Sequence, residues 1–295
     1  MKQLLTKLVK YCLSVLPLVL LMSCQEKQEK MEIWHTIAPQ DTTSKEITYF
    51  VQPNIDTSNL QNNIIRAKIE GSWHDIEVTE TPERFMKWNF DRRLEQLKEI
   101  KDGLESGNMQ MPTLSGPHNG MVATHGNKRE DSAFSINNAV KGMGWLPKAE
   151  KISQVKQMLL DTWDDDIFKK LDLLTGLYED GENIFDLTKQ TSLELYSHPD
   201  YETQSFLNQM ADPGVTMVFL DLPESFKLRC VVQMLHPDNP NLTDYEKDVV
   251  EYINLVHDYF HGQMPRKSIG VIYHIGQVYD NSPRGKGKLI TPMFP

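Results

Sequence analysis

The sequence predicts an α+β protein, mainly β in its C-terminal half, with helices flanking the strands and an α/β extension ahead of them. Three observations carry this. Residues 171–235 read as strands broken once by a helix. Within 225–235, Phe226, Leu228, Cys230, Val232 and Met234 alternate with Ser225, Lys227, Arg229, Val231 and Gln233, the period-two signature of a strand with one core face. Helical spacing recurs at 82–106, 151–163 and 243–261.

The chain starts with three cations, Lys2, Lys7 and Lys10, then an apolar stretch from Tyr11 to Leu21, then Leu-Met-Ser-Cys at 21–24. The apolar stretch is too short to span a bilayer, and the order is that of a targeting segment. It resembles a bacterial lipoprotein signal, which implies removal of residues 1–23, lipid on Cys24, and a mature chain held at the cell envelope by acyl chains. Residues 24–45 are polar and read as a solvated tether.

Residues 46–110 form an extension of unassigned role. Ile47–Val51 reads as a strand, and Ile64–Val78 as a hairpin about a Gly-Ser turn. Pro82–Ser106 reads as a helix capped by Thr81 and closed by Gly107. Residues 111–147 are rich in Gly, Asn, Ser and Pro without periodicity and read as a linker or loop. The remaining domain, 148–295, opens with the helix at 151–163. Strands are expected at 171–178, 184–190, 192–198, 215–221, 225–235 and 268–279, with an Asp-Gly turn at 180–181 and a helix over Thr203–Met210 that Ala-Asp-Pro-Gly (211–214) ends.

The formal charge of −10 argues against a nucleic-acid partner, which would favour a basic face. Cys12 lies in the targeting segment and Cys24 is the anchor, so Cys230 has no disulfide partner and reads as a small buried residue.

Four segments share a likeness: Glu-Asp-Gly at 179–181, the run from Ser205 through Asn208, Asp212 and Pro213 to Met217, Lys-Leu-Arg-Cys-Val at 227–231, and Gln277–Arg284. In this order they resemble the flavin-binding split barrel of the pyridoxamine 5'-phosphate oxidase family, over about half the chain. The resemblance implies a six-stranded split β-barrel, FMN, a homodimer that builds its flavin site across two subunits, and oxidation or reduction of a small molecule. It nominates Lys189, Ser197, Thr203, Gln204, Ser205 and Arg229 around the cofactor. In the family a Ser or Thr followed by basic residues opens the helix after the third strand; here the hydroxyls of Thr203 and Ser205 are present and the basic residues are absent. No catalytic acid or base is nominated, because the cofactor carries hydride chemistry.

Some members of this fold bind haem, so a haem- or ligand-binding protein without catalysis is the alternative, with His118 and His125 in the glycine-rich span as candidate ligands. His257 and His261 share a helix face at i, i+4, yet lack the Glu of an HExxH pair and read as structural. Asp161–Asp166 is dense in carboxylates but lacks a spaced calcium-ligand pattern and reads as a solvated junction. An envelope interaction protein with no cofactor is the third reading.

Overall fold

The glycine-rich stretch read as a linker contributes three strands to the main sheet. In the computed structural model, residues 33–39, 46–108, 114–127, 129 and 131–292 are described, and Trp34–Pro295 forms one compact unit. Cys24 and the targeting segment lie outside the described residues.

Strands β1 (Trp34–Ile37) and β2 (Ile47–Phe50) pair antiparallel. The tether reading is therefore corrected at β1. Trp34 stacks on Phe206 at 5.6 Å between ring centroids and meets Phe50 edge-on at 5.5 Å, so an aromatic anchor holds this stretch down. Strands β3 (Ile55–Asp56), β4 (Ile64–Ile69) and β5 (Ser72–Glu77) make a second small sheet. The hairpin turn is Glu70–Gly71, one residue earlier than expected, and both residues take left-handed φ (49° and 78°) as a tight hairpin requires. Helix α1 (Glu83–Ser106) ends at Gly107 with φ of 69°. Its N-cap is Pro82 rather than Thr81, whose hydroxyl caps nothing because Pro82 already holds the extended cap conformation.

Strands β6 (Asn119–Thr124), β7 (Asn137–Gly142) and β8 (Gly144–Pro147) lie in the supposed linker. Their Gly, Asn and Ala content hides them, since those residues have low strand propensity. Gly120 supplies room rather than flexibility: a Cβ there would stand 2.8 Å from Met143 Cγ and 3.1 Å from Met217 Cγ. Helix α2 (Ile152–Asp161) falls where expected.

Residues 171–178 are helix, not strand, within α3 (Ile167–Glu179). The Asp166 side chain caps it by accepting from the Phe168 and Lys169 amides at 2.9 and 3.1 Å, and Leu171, Leu177 and Tyr178 turn inward. Asp180–Gly181 is no hairpin turn; it starts the single-turn α4 (Gly181–Ile184), where Gly181 leaves space for the Phe90 ring. The two expected strands at 184–198 are mostly one, β9 (Phe185–Glu194). Next come α5 (Gln204–Ala211) capped by Thr203, β10 (Gly214–Asp221), β11 (Glu224–Leu235), α6 (Asp244–His261) with a Thr243–Glu246 capping box, β12 (Ile269–Asp280) and β13 (Lys288–Leu289).

The main antiparallel sheet runs β7-β6-β10-β11-β12-β9-β8, with β13 added on β12. It curls so that β7 returns beside β9, where Lys141 reaches Glu194 at 2.8 Å. The curled half-barrel sheet is thus eight-stranded, not six-stranded, and three of its strands, β6, β7 and β8, come from outside the segments expected to supply it. Phe206, Phe219, Phe226, Leu228, Tyr273 and Val278 are fully buried in its core. Phe85 of α1 packs on Phe226 at 5.3 Å, and the Thr79 and Thr81 amides donate to Ile275 and Leu187 carbonyls. The extension therefore completes the barrel core, and 111–147 marks no domain boundary. The expected apolar face of β11 is buried; its other face is covered too from Val231 onward, where Val231 joins Ile65, Ala67 and Val78.

Candidate functional site

Where the β4–β5 hairpin lies across the outer face of the sheet it leaves a cleft of about 1230 Å³. The hairpin contributes Ile64, Ile69 and Ile76 with Glu70, Asp75 and Glu77; the sheet contributes Val215, Thr216, Arg229, Cys230 and Gln277. The β6–β7 loop adds His125 and Ile136. The walls are largely aliphatic, with an imidazole and a guanidinium on the sheet side and carboxylates on the hairpin side.

Asp212 stands behind the lining residues Glu70 and Gly214. It terminates α5, is buried, accepts from the Gly214 amide at 2.9 Å and from the Glu70 amide at 2.7 Å, and so ties the hairpin tip to the start of β10. His125 Nε2 lies 3.8 Å from the same Asp212 oxygen that holds Glu70. Arg229 is exposed, 5.3 Å over the Tyr279 ring and 3.5 Å from Gln277 Oε1. Lys227 covers that ring too, at 4.1 Å. Cys230 is buried, and desolvation pushes its thiol far up, so it is a thiol wall of the cleft and not a nucleophile.

Of the six residues nominated around a flavin, Arg229 alone lines this cleft. Lys189 is mostly buried in an ion pair with Asp186, opposite His274 of β12. Burial works against the Asp186 charge, but Lys189 and Thr188 outweigh it and lower its carboxyl. The other four meet at the start of α5, already engaged. Thr203 Oγ1 accepts from the Phe206 amide at 3.1 Å, and Ser197 Oγ accepts from the Thr203 amide at 3.1 Å. Ser205 Oγ accepts from Asn137 at 2.8 Å, and Gln204 donates to Asn208 at 2.7 Å and to the Asn127 carbonyl. The sequence reading missed Arg129, which stands beside this helix start through its amide on Gln204 and its guanidinium over Tyr201 at 5.2 Å. Nothing in the local sequence places it there, because the link spans the β6–β7 hairpin. Its guanidinium is held by both Asp131 oxygens, at 2.9 and 3.0 Å, and by the Glu202 carbonyl. A phosphate dianion needs uncommitted charge-assisted donors; the residues at this helix start do not fit it.

The remaining histidines are not in the cleft. His118 is half-buried, and desolvation pushes its pKa down to about 3, so it is neutral. His257 and His261 pack ring to ring at 4.9 Å, with His257 3.2 Å from Asp258. Among the described residues no group of three His, Cys, Asp or Glu side chains is placed to hold a metal ion. The acidic junction at 161–166 is spent locally, Asp165 on Lys169 and Asp166 on the α3 cap.

No family model and no curated protein matches this chain. Among solved structures, it is similar to HupZ of Group A Streptococcus, with 12% identity, 63% of this chain and 94% of that one covered, and a TM-score of 0.30. A histidine-to-alanine variant of HupZ gives 13% identity, 55% and 89% coverage and 0.30. A Clostridium acetobutylicum protein related to general stress protein 26 of B. subtilis, of the pyridoxinephosphate oxidase family, gives 12% identity, 68% and 96% coverage and 0.29. TM-scores this low transfer neither a fold nor a ligand.

Proposed function

We propose that this protein is a ligand-binding lipoprotein of the bacterial envelope, anchored through Cys24, whose barrel is of the pyridoxamine 5'-phosphate oxidase-like split type and whose cleft takes haem. One observation carries the reading: His125 and Arg229, far apart in sequence, line the same aliphatic cleft. Typical ligand pockets measure roughly 300–1,000 Å³, so a cleft of about 1230 Å³ has room for a large planar ligand. The His125 imidazole offers a nitrogen to iron, and Arg229 offers a propionate the fork geometry that suits carboxylates. Ile64, Ile69, Ile76 and Val215 supply apolar surface for the ring, while Glu70, Asp75 and Glu77 repel acidic groups from the hairpin side and direct them toward Arg229.

Haem supplies a metal centre when bound; the chain's own residues hold and orient it. The reading of an FMN-dependent oxidoreductase has less support, since the donors nominated for its phosphate are engaged internally and Lys189 belongs to another cluster. Homodimer formation, implied by the family resemblance, is kept as part of the proposal. The test is haemin titration of the soluble chain from Gln25: a saturable Soret band in the parent, lost or shifted in His125→Ala and weakened in Arg229→Ala, supports the reading.

A further inference from the structure

Exposed apolar side chains are ordinary one by one, whereas a cluster of them marks a contact surface. Among the described residues, seven large hydrophobic side chains are at least 49% exposed, and four of these fall in two loops that touch. Phe134 and Ile136, each 75% exposed, stand just before β7, while Tyr196 (66%) and Tyr201 (49%) lie between β9 and α5. Arg129 joins the two loops, its guanidinium 5.2 Å over the Tyr201 ring and bonded to the Glu202 carbonyl. The Ser135 carbonyl, between Phe134 and Ile136, accepts from Asn208 of α5 at 2.7 Å. All four side chains therefore border α5.

The same helix holds the first strand of the folded unit. Trp34 stacks on Phe206 at 5.6 Å and donates through Nε1 to Glu202 at 2.8 Å, one residue beyond Tyr201. Cys24 lies ten residues before Trp34. Such a span reaches roughly 35 Å fully extended and averages roughly 20 Å as a flexible coil. An acyl chain on Cys24 thus keeps the α5 side near the lipid. Leu222 stands elsewhere, beyond β10 (Gly214–Asp221), which leads away from the end of α5 for about 25 Å. We propose, on the reading that Cys24 carries the lipid, that Phe134, Ile136, Tyr196 and Tyr201 seat the protein on the bilayer that anchors it. A tyrosine suits the headgroup boundary, with an apolar ring and a polar tip. The contact is apolar rather than electrostatic, since the net charge is −10 and Arg129 is spent on Asp131. Ile136 also lines the cleft, so this seating sets that rim of the cleft at the lipid surface.

The experiment tethers the chain from Gln25 to phosphatidylcholine vesicles through an N-terminal polyhistidine and a nickel-chelating lipid, so the result does not depend on acylation. A polarity-sensitive fluorophore is attached at Phe134→Cys or at Leu222→Cys; Cys230 is buried, and the parent treated alike gives the blank. Nitroxide-labelled lipid should quench the probe at 134 at least about threefold more than the probe at 222, with no need for anionic lipid. Adding Ile136→Asp and Tyr196→Asp should bring the probe at 134 down to the level at 222. Equal quenching at the two sites in the parent background, no effect of the two aspartates, quenching only with phosphatidylglycerol, or a probe at 134 shielded by a second copy of the chain without vesicles, would overturn the proposal. Fatty-acid labelling of the full chain in cells, compared with Cys24→Ser, tests the anchor separately: its absence overturns the lipoprotein reading, while the quenching alone decides the seating face.

Discussion

The Asp212 carboxylate holds the Glu70 amide at 2.7 Å while His125 Nε2 stands 3.8 Å from the same oxygen, so one buried side chain fixes the hairpin tip right beside the imidazole of the cleft. Its other oxygen accepts from the Gly214 amide at 2.9 Å. Asp212→Ala strips two backbone donors of a charged acceptor. The expected cost is about 2–3 kcal/mol by urea denaturation, with faster hydrogen exchange at the Glu70 amide. Asp212→Asn, which keeps one acceptor oxygen, should cost less; equal stability of parent and Asp212→Ala would mean the hairpin is held by its apolar contacts alone.

Gly181 tests the correction made to the Asp-Gly turn. Its backbone is not left-handed, and a Cβ there would lie 2.7 Å from Phe90 Cε2 and 2.9 Å from Cζ. Phe90 cannot swing away freely, because Trp145 and Tyr178 pack edge-on against it at 5.4 and 5.8 Å. Gly181→Ala should destabilise by about 1–3 kcal/mol through overpacking, and Phe90→Leu in the same chain should return part of that loss. Strictly additive single and double variants would contradict the packing account.

Desolvated histidines set the acid limb of stability. His274 donates through Nε2 to Gln233 Oε1 at 3.0 Å, because Gln233 uses its own amide hydrogens on Glu246. Desolvation, with Lys189 adding to it, pushes the His274 pKa down to about 3, and desolvation pushes His118 to about the same value. Both folded values lie below the ordinary 6.5, so the unfolded chain binds more protons between the two. Stability is therefore full above about pH 6.5 and falls as the pH drops toward about 3. The lowered carboxyls of Asp186 and Asp280 act in the same sense at more acidic pH. Chemical denaturation of His274→Asn across this range should show a shallower slope than the parent; an unchanged slope would mean His274 does not take part.

Much of this fold was legible where periodicity is strong. The β10–β11 pair, β12, α5 with its Thr203 cap and α6 with its capping box fall within a residue or two of expectation. Leu171–Tyr178 was not legible as helix because its leucines suit either period, and the signal that decides it, the Asp166 cap, lies just outside the run. Strands β6 and β7 were hidden by Gly, Asn and Ala, whose places there are set by neighbours such as Met143 and Met217 rather than by local preference. For the cleft, Arg229 and His125 were visible as residues but not as a pair. Their meeting depends on the β4–β5 hairpin folding over a sheet assembled from segments more than a hundred residues apart, and no local pattern encodes that.

The most direct measurement of the central claim is the absorption titration of the soluble chain with haemin, repeated with His125→Ala and Arg229→Ala. A saturable Soret band in the parent, displaced or abolished in His125→Ala and about tenfold weaker in affinity in Arg229→Ala, is the predicted result. No saturable band in the parent, or identical titrations for all three chains, would contradict haem binding in this cleft.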